Sequence, residues 1–285
     1  MSIWTELLGA QVRYSGEKYK TRVIELGQGH PLILLHGNGG HAENFVYNIS
    51  SFAQHFRTFA IDLLWHGYSS KPQFNHSIIP SFIDQINDFM ETESITSANF
   101  VGQSMGAWPV MELAISMPHK VRKLVLTTPQ GFILDGENKM NLNERLSTIK
   151  ERTLQALVNP TFENIRNRLE RLVVNKQLIT DEMVEVRYKI YNDLETNYFQ
   201  KLFVTEYLGG EESGKHRIVQ SRLGSILCPT LIYWSEYNSV PPAMGVKFAK
   251  CFPNSSYYCV KDTGHWAQFE HFEEYNQKVL DFLLS

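Results

Sequence analysis

The sequence has few cysteines, no long apolar run and no excess of charge of either sign, and each absence excludes a class of protein. Three cysteines without C-x-x-C spacing argue against a disulfide framework. No apolar run reaches the roughly 18 residues of a membrane span, and the N-terminal residues lack the pattern of a secretory signal. A net charge of −3 gives no reason to expect nucleic-acid or membrane partners. We expect a cytoplasmic protein.

The remaining composition favours a folded α/β protein. Hydrophobic residues make up 43% of the 285 residues, which is enough for a large core. Short, nearly continuous apolar runs predict strands that are covered on both faces, as in a parallel sheet. After a hairpin at 10–14 and 19–26, the predicted strands cover residues 31–36, 56–62, 99–101, 123–127, 229–234 and 256–260.

Helical patterns separate these strands, and one long helical segment interrupts them. Helices are predicted at 81–90, 105–117 and 272–284. From 131 to 217 strand signals vanish, and amphipathic helices are predicted at 143–157, 161–174 and 180–194. The sequence therefore predicts a core made of residues 1–130 and 218–285, with a helical cap inserted at 131–217.

The most informative motif is G-x-S-x-G, formed by Gly102, Ser104 and Gly106 between a predicted strand and a predicted helix. In this context a sharp turn exposes the serine hydroxyl, whereas an isolated match would be an ordinary glycine-flanked turn. The N–H of Met105 would lie at a helix N-terminus, where it can donate to a developing oxyanion. The glycine-rich loop after the third strand offers Asn38 or Gly39 as a second donor. A phosphate-binding loop is the alternative, although the lysine of a P-loop is absent.

A histidine and an acid should complete the site. His265 follows the last strand and gives the chain order serine, acid, histidine, so it would take the proton of Ser104. The slot for the acid holds Asn238, whose amide can accept from the imidazole but cannot stabilise imidazolium as a carboxylate does. In a serine protease that exchange costs about 10⁴ in turnover. Glu236 and Asp135 are the alternative acids.

The segments 36–40, 102–108 and 264–270 together resemble the meta-cleavage-product hydrolases. These are serine-dependent C–C bond hydrolases of aromatic catabolism in the α/β-hydrolase superfamily, and the resemblance covers nearly the whole chain. It implies an α/β-hydrolase fold and a vinylogous 1,5-diketone substrate with a terminal carboxylate. The dienol would first become a ketone, and hydrolysis would then give a 2-hydroxydienoate and a carboxylic acid. Asn238 is the main departure from this family.

The resemblance also implies substrate-binding residues. Arg187 matches an arginine that faces the substrate carboxylate, and Asn44 matches an asparagine downstream of the glycine-rich loop. Gln103 stands where an asparagine is frequent, and Trp266 would flank the acyl side. Independently, Arg187 lies near the centre of an apolar helix face, where its charge needs either a substrate anion or an internal salt bridge.

The sequence indicates no metal and no cofactor, since no H-E-x-x-H motif occurs. The expected partner is a small-molecule substrate, and a homo-oligomer is left open. The same serine and histidine could serve a carboxylesterase or a lactonase. The weakened triad also leaves open a non-catalytic small-molecule-binding protein on a hydrolase scaffold.

Overall fold

A mostly parallel sheet of eight strands forms the centre of the molecule. The computed structural model describes residues 2–136, 139–208 and 211–285. The strands follow the order β1-β2-β4-β3-β5-β6-β9-β10, with β1 and β2 antiparallel, β2 antiparallel to β4, and every other pair parallel. Their bounds are Gln11–Ser15 (β1), Thr21–Leu26 (β2), Pro31–Leu35 (β3), Arg57–Ile61 (β4), Ala98–Gln103 (β5), Val121–Thr127 (β6), Thr230–Ser235 (β9) and Ser255–Val260 (β10). The predicted fold class is confirmed.

Helices cover both faces of the sheet, which explains why its central strands are largely apolar, unlike the edge strands β1 and β10. Every residue of β5 and β9 is buried. One face packs against α2 (Val46–Phe52) and α13 (Phe272–Leu284), and the short α1 (Ile3–Glu6) contacts α2. The other face packs against α3 (Ile78–Thr92), α4 (Ala107–Ser116) and α11 (Pro242–Ala249). The short helices α10 (Gln220–Leu223) and α12 (Ala267–Glu270) precede β9 and α13.

Between β6 and β9 the chain forms a helical insertion, the segment 131–217. At its start, β7 (Phe132–Ile133) pairs in parallel with β8 (Ile218–Val219), which directly follows its end. The helices between them are α5 (Lys139–Val158), α6 (Phe162–Glu170), α7 (Asp181–Asn192), α8 (Leu194–Leu202) and α9 (Glu211–Lys215). The predicted helix at 180–194 stops earlier, because Asp193 has an extended backbone and caps a new helix by accepting from the Thr196 N–H at 2.8 Å.

The helical insertion lies against loops of the core. Thr196 Oγ1 donates to the carbonyl of Gly67 at 2.9 Å, and Gln200 Nε2 donates to that of Trp65 at 2.7 Å. In the described ranges, none of the helices is both long and apolar enough to pass through a bilayer.

Candidate active site

Ser104 lies in a tight turn between β5 and α4. Its φ of 53° falls in the left-handed region, a strained conformation that residues other than glycine adopt mainly at functional sites. The flanking glycines make this turn possible. A Cβ on Gly102 would lie 2.5 Å from the Cα of Ala107, and a Cβ on Gly106 would lie 2.4 Å from the carbonyl oxygen of Leu35. Ser104 is thus held above the carboxyl ends of the parallel strands, as the motif predicts.

His265 lies in the loop after β10, and Asn238 lies in the loop after β9. The imidazole Nδ1 is 2.9 Å from Asn238 Oδ1, so Nδ1 carries the proton and Nε2 is left with a lone pair. Gln103 Nε2 lies 3.2 Å from that Nε2 and can donate to it, which fits the same tautomer. Burial, with a smaller effect of the Arg168 charge, lowers the pKa of His265 to about 4. The imidazole is therefore a neutral base at pH 7.

The two alternative acids lie elsewhere. Glu236 accepts from the backbone N–H of Asp262 at 3.0 Å and pairs with Lys261 at 3.2 Å. The backbone N–H of Asp135 donates to Gln220 Oε1 at 3.0 Å, and its side chain lines a separate depression beside α11. Of the three residues considered for the acid slot, the structure brings only Asn238 to His265.

The glycine-rich loop after β3 faces the same region. Gly39 has a φ of 64°, and a Cβ there would lie 2.6 Å from the hydroxyl oxygen of Tyr191. The carbonyl of Gly39 accepts from Tyr191 at 3.2 Å and also from Arg187. The side-chain amide of Asn38 is buried without a hydrogen-bond partner in the structure. Met105 lies in the first helical turn, where the backbone N–H groups have no acceptor within the helix. Its N–H is therefore free of helical hydrogen bonds.

Some of these groups border one cavity of about 230 Å³, whereas Met105 lines a second cavity next to it. Ser104 and His265 both line the first cavity, although among the described residues no hydrogen bond joins them. The other predicted residues that line it are Asn38, Asn44, Gln103 and Trp266. Within the described chain, no three His, Cys, Asp or Glu side chains come together as metal ligands.

Arg187 is only 2% exposed and borders a smaller adjoining recess together with Glu43, Asn44 and Trp266. Its guanidinium donates to the carbonyl of Gly39 and to Asn44 Oδ1, the latter at 3.0 Å, and lies 5.9 Å from the ring of Trp266. No carboxylate of the described residues lies within 4.0 Å of it, so the internal salt bridge considered from the sequence is not formed. Burial, with a smaller effect of Arg168, lowers the pKa of Arg187.

Arg168 of α6, which was not singled out from the sequence, also lines the cavity and is 8% exposed. Its Nη2 donates to the carbonyl of Asn38 at 3.2 Å, and its Nε is buried without a partner. The signal was present, because Arg168 lies beside Leu169 and three residues after Ile165, both buried on the inner face of the same helix. The reasoning applied to Arg187 would have found it.

Glu270 of α12 connects the His265 loop to the helical insertion. One carboxylate oxygen accepts from the N–H groups of Val174 and Asn175, and the other accepts from the N–H of Gly264, each at 2.7 Å. Hydrogen bonds to a charged, largely buried group contribute more than neutral ones. Glu270 therefore fixes the backbone next to His265.

Replacing Glu270 with glutamine should lower the free energy of unfolding by about 2 kcal/mol, because the amide NH₂ would face an N–H donor and leave it unpaired. Urea denaturation measures this loss. The exposed Glu273→Gln is the matched control and should change stability by less than about 0.5 kcal/mol. Equal stabilities of the two variants would contradict the role given to Glu270.

An α/β hydrolase is defined by three features that are present here: Ser104 in the turn between β5 and α4, His265 after the last strand, and the order of the sheet. The chain belongs to the alpha/beta hydrolase fold family, whose model matches residues 30–272.

Among curated proteins, the chain is 29% identical to a 2-hydroxy-6-oxononadienedioate/2-hydroxy-6-oxononatrienedioate hydrolase of Paraburkholderia phymatum, covering 94% of this chain and 92% of that protein. It is 25% identical to a 2-hydroxymuconate semialdehyde hydrolase of Pseudomonas putida, covering 97% and 94%. The fold matches a 2-hydroxy-6-oxo-6-phenylhexa-2,4-dienoate hydrolase from Rhodococcus with a TM-score of 0.85 at 20% identity, covering 97% and 99%. The predicted resemblance to C–C bond hydrolases is confirmed.

Proposed function

We propose that this chain is a cofactor-independent serine hydrolase that cleaves a C–C bond in a carboxylate-bearing 2-hydroxy-6-oxo-dienoate. The names of its relatives support this reaction. The observation that carries the proposal is the shared cavity, in which Ser104 in a strained turn and a neutral His265 line one wall. A strained serine with a histidine base nearby is the arrangement that acyl transfer requires.

Each step has a candidate group. The dienol first becomes a ketone, as its hydroxyl loses a proton and the chain carbon next to the 6-oxo group gains one and becomes tetrahedral. Ser104 Oγ then attacks the adjacent ketone while His265 Nε2 takes its proton. The N–H groups of Met105 and of Asn38 or Gly39 stabilise the oxyanion. The C–C bond breaks with its electron pair passing into the dienolate, which takes the proton held by His265. The neutral His265 then accepts a proton from water, which releases the acid as the proton returns to Ser104.

This leaving group fits the uncharged partner of His265. A dienolate spreads its charge onto oxygen and is a good leaving group, so its departure depends little on an imidazolium that a carboxylate stabilises. Asn238 orients the imidazole through Nδ1 without raising its pKa, whereas a carboxylate would raise it. The Gln103 amide donates to the lone pair of His265 Nε2. It has to move away before the Ser104 hydroxyl can donate to the same nitrogen.

The substrate carboxylate would bind the guanidinium of Arg187 beside Asn44, where Asn44 and Trp266 line the cavity. Arg187 supplies the charge, and its contacts are to neutral oxygens rather than to a carboxylate. The helical insertion would act as the cap that closes the cavity from above. The three cysteines are unpaired thiols, which suits the proposed cytoplasmic location.

A substrate panel tests the proposal. We expect kcat/KM for a 2-hydroxy-6-oxo-hexa-2,4-dienoate to exceed that for a neutral p-nitrophenyl ester by about 10²-fold or more, because only the dienoate engages the buried arginine. Dienoate consumption is followed by its absorbance. A higher kcat/KM for the ester would favour a carboxylesterase or lactonase, a reading supported by the internal hydrogen bonds of Arg187.

A further inference from the structure

We propose that the cavity holds an anion subsite, centred on Arg168 and flanked by Arg152 and Arg171, that binds a second carboxylate on the acyl part of the substrate. This rests on the proposed function and makes the preferred substrate a dicarboxylate. The subsite lies on the side of the cavity formed by the helical insertion, since Arg152 belongs to α5, Arg168 to α6 and Arg171 follows α6 directly.

Among the described residues, the charges that line the cavity are of one sign. They include three arginines and no aspartate or glutamate. None of the three has a carboxylate of the described residues within 4.0 Å. Like charges gathered around a cavity focus a field that attracts an anion.

Arg168 is the member that needs an anion most. Its side chain is more than nine-tenths buried, and its Nε has no partner among the described residues. Its hydrogen bonds go to the carbonyl of Asn38 and the hydroxyl of Tyr191, neither of which is a carboxylate. A buried guanidinium without a counter-ion is costly, and a carboxylate matches its planar donors. Arg152 and Arg171 are exposed and would add attraction at the mouth.

This subsite is separate from the recess of Arg187. Arg168 and Arg187 contact different carbonyls of the glycine-rich loop, those of Asn38 and Gly39. Arg187 borders the adjoining recess, whereas Arg168 borders the cavity that contains Ser104 and His265. Arg168 therefore adds to the cavity of Ser104 and His265 a cation that is distinct from Arg187, which suits a substrate with two carboxylates.

Two dienoates test the subsite, one with an acyl tail ending in a carboxylate and one ending in a carboxamide of the same shape. The wild type should prefer the carboxylate tail by about 10-fold to 100-fold in kcat/KM. Arg168→Met should lose this preference while still cleaving the carboxamide, and Arg122→Met, a surface change outside the cavity, should keep it. The exposed Arg171→Gln, which leaves the buried arginine in place, should reduce the preference about twofold and weaken its dependence on salt.

Binding to the Ser104→Ala protein separates this claim from the reaction itself. Succinate should bind more tightly than succinamate, and Arg168→Met should remove the difference. Such binding without C–C cleavage by the wild type would contradict the proposed function and leave the subsite standing. Equal cleavage of both dienoates by the wild type, or an unchanged preference in Arg168→Met, would overturn the subsite.

Discussion

Ser104→Ala should reduce kcat for the dienoate by about 10⁴-fold or more, with little change in folding. The alanine keeps the turn and the backbone N–H of Met105 but removes the atom that forms the acyl bond. Activity that survives loss of a nucleophile comes only from binding and oxyanion donors. Steady-state turnover measures the loss, and a fluorophosphonate probe should label the wild type but not the variant.

Ser116→Ala, on the exposed side of α4, is the matched control and should retain both turnover and labelling. Turnover of Ser104→Ala within about tenfold of the wild type would exclude Ser104 as the nucleophile. It would leave a water molecule activated by His265 as the attacking group.

The second large effect is expected at position 238. Asn238→Ala should lower kcat by about 10²-fold or more, because it removes the acceptor that fixes the proton on Nδ1 of His265. Asn238→Asp should retain that acceptor and add a charge that favours imidazolium. We expect it to raise kcat for an ester about tenfold, since ester cleavage gains more from a stabilised imidazolium than dienolate departure does.

The pH profile provides a separate check on position 238. With the pKa of His265 at about 4, kcat/KM of the wild type should fall only below about pH 5. Asn238→Asp should move this acid limb upward, because a nearby carboxylate raises the pKa of the imidazole. Asn254→Asp adds the same charge at an exposed site and should leave the limb in place. If the acid limb of the kcat/KM profile is unchanged in Asn238→Asp, position 238 does not face His265 in solution.

The sequence predicted the parts of the site that are set by local backbone geometry. Ser104 could be found because its turn needs Gly102 and Gly106, which are adjacent in the chain. The strands could be found because a sheet covered on both faces requires apolar residues throughout. The same local reasoning failed at Asp193, where one capping side chain divides a pattern that otherwise continues through α7 and α8.

Contacts between distant segments could not be predicted in this way. Glu270 meets the 174–175 backbone across 95 residues of chain, and nothing in its own surroundings indicates that partner. The partner of His265 could not be chosen among three candidate residues, because that choice depends on which loops meet in the folded chain. Arg168 is different, because the apolar residues Ile165 and Leu169 on the same side of its helix already indicate a buried face.

The central claim is that this site adds water across a C–C bond, and isotope transfer tests it most directly. The wild type is incubated with a 2-hydroxy-6-oxo-dienoate in H₂¹⁸O, and the products are analysed by mass spectrometry. We expect a 2-hydroxydienoate without label and a carboxylic acid carrying one ¹⁸O atom from solvent. An intact dienoate skeleton after prolonged incubation, with simple esters hydrolysed by the same preparation, would contradict it.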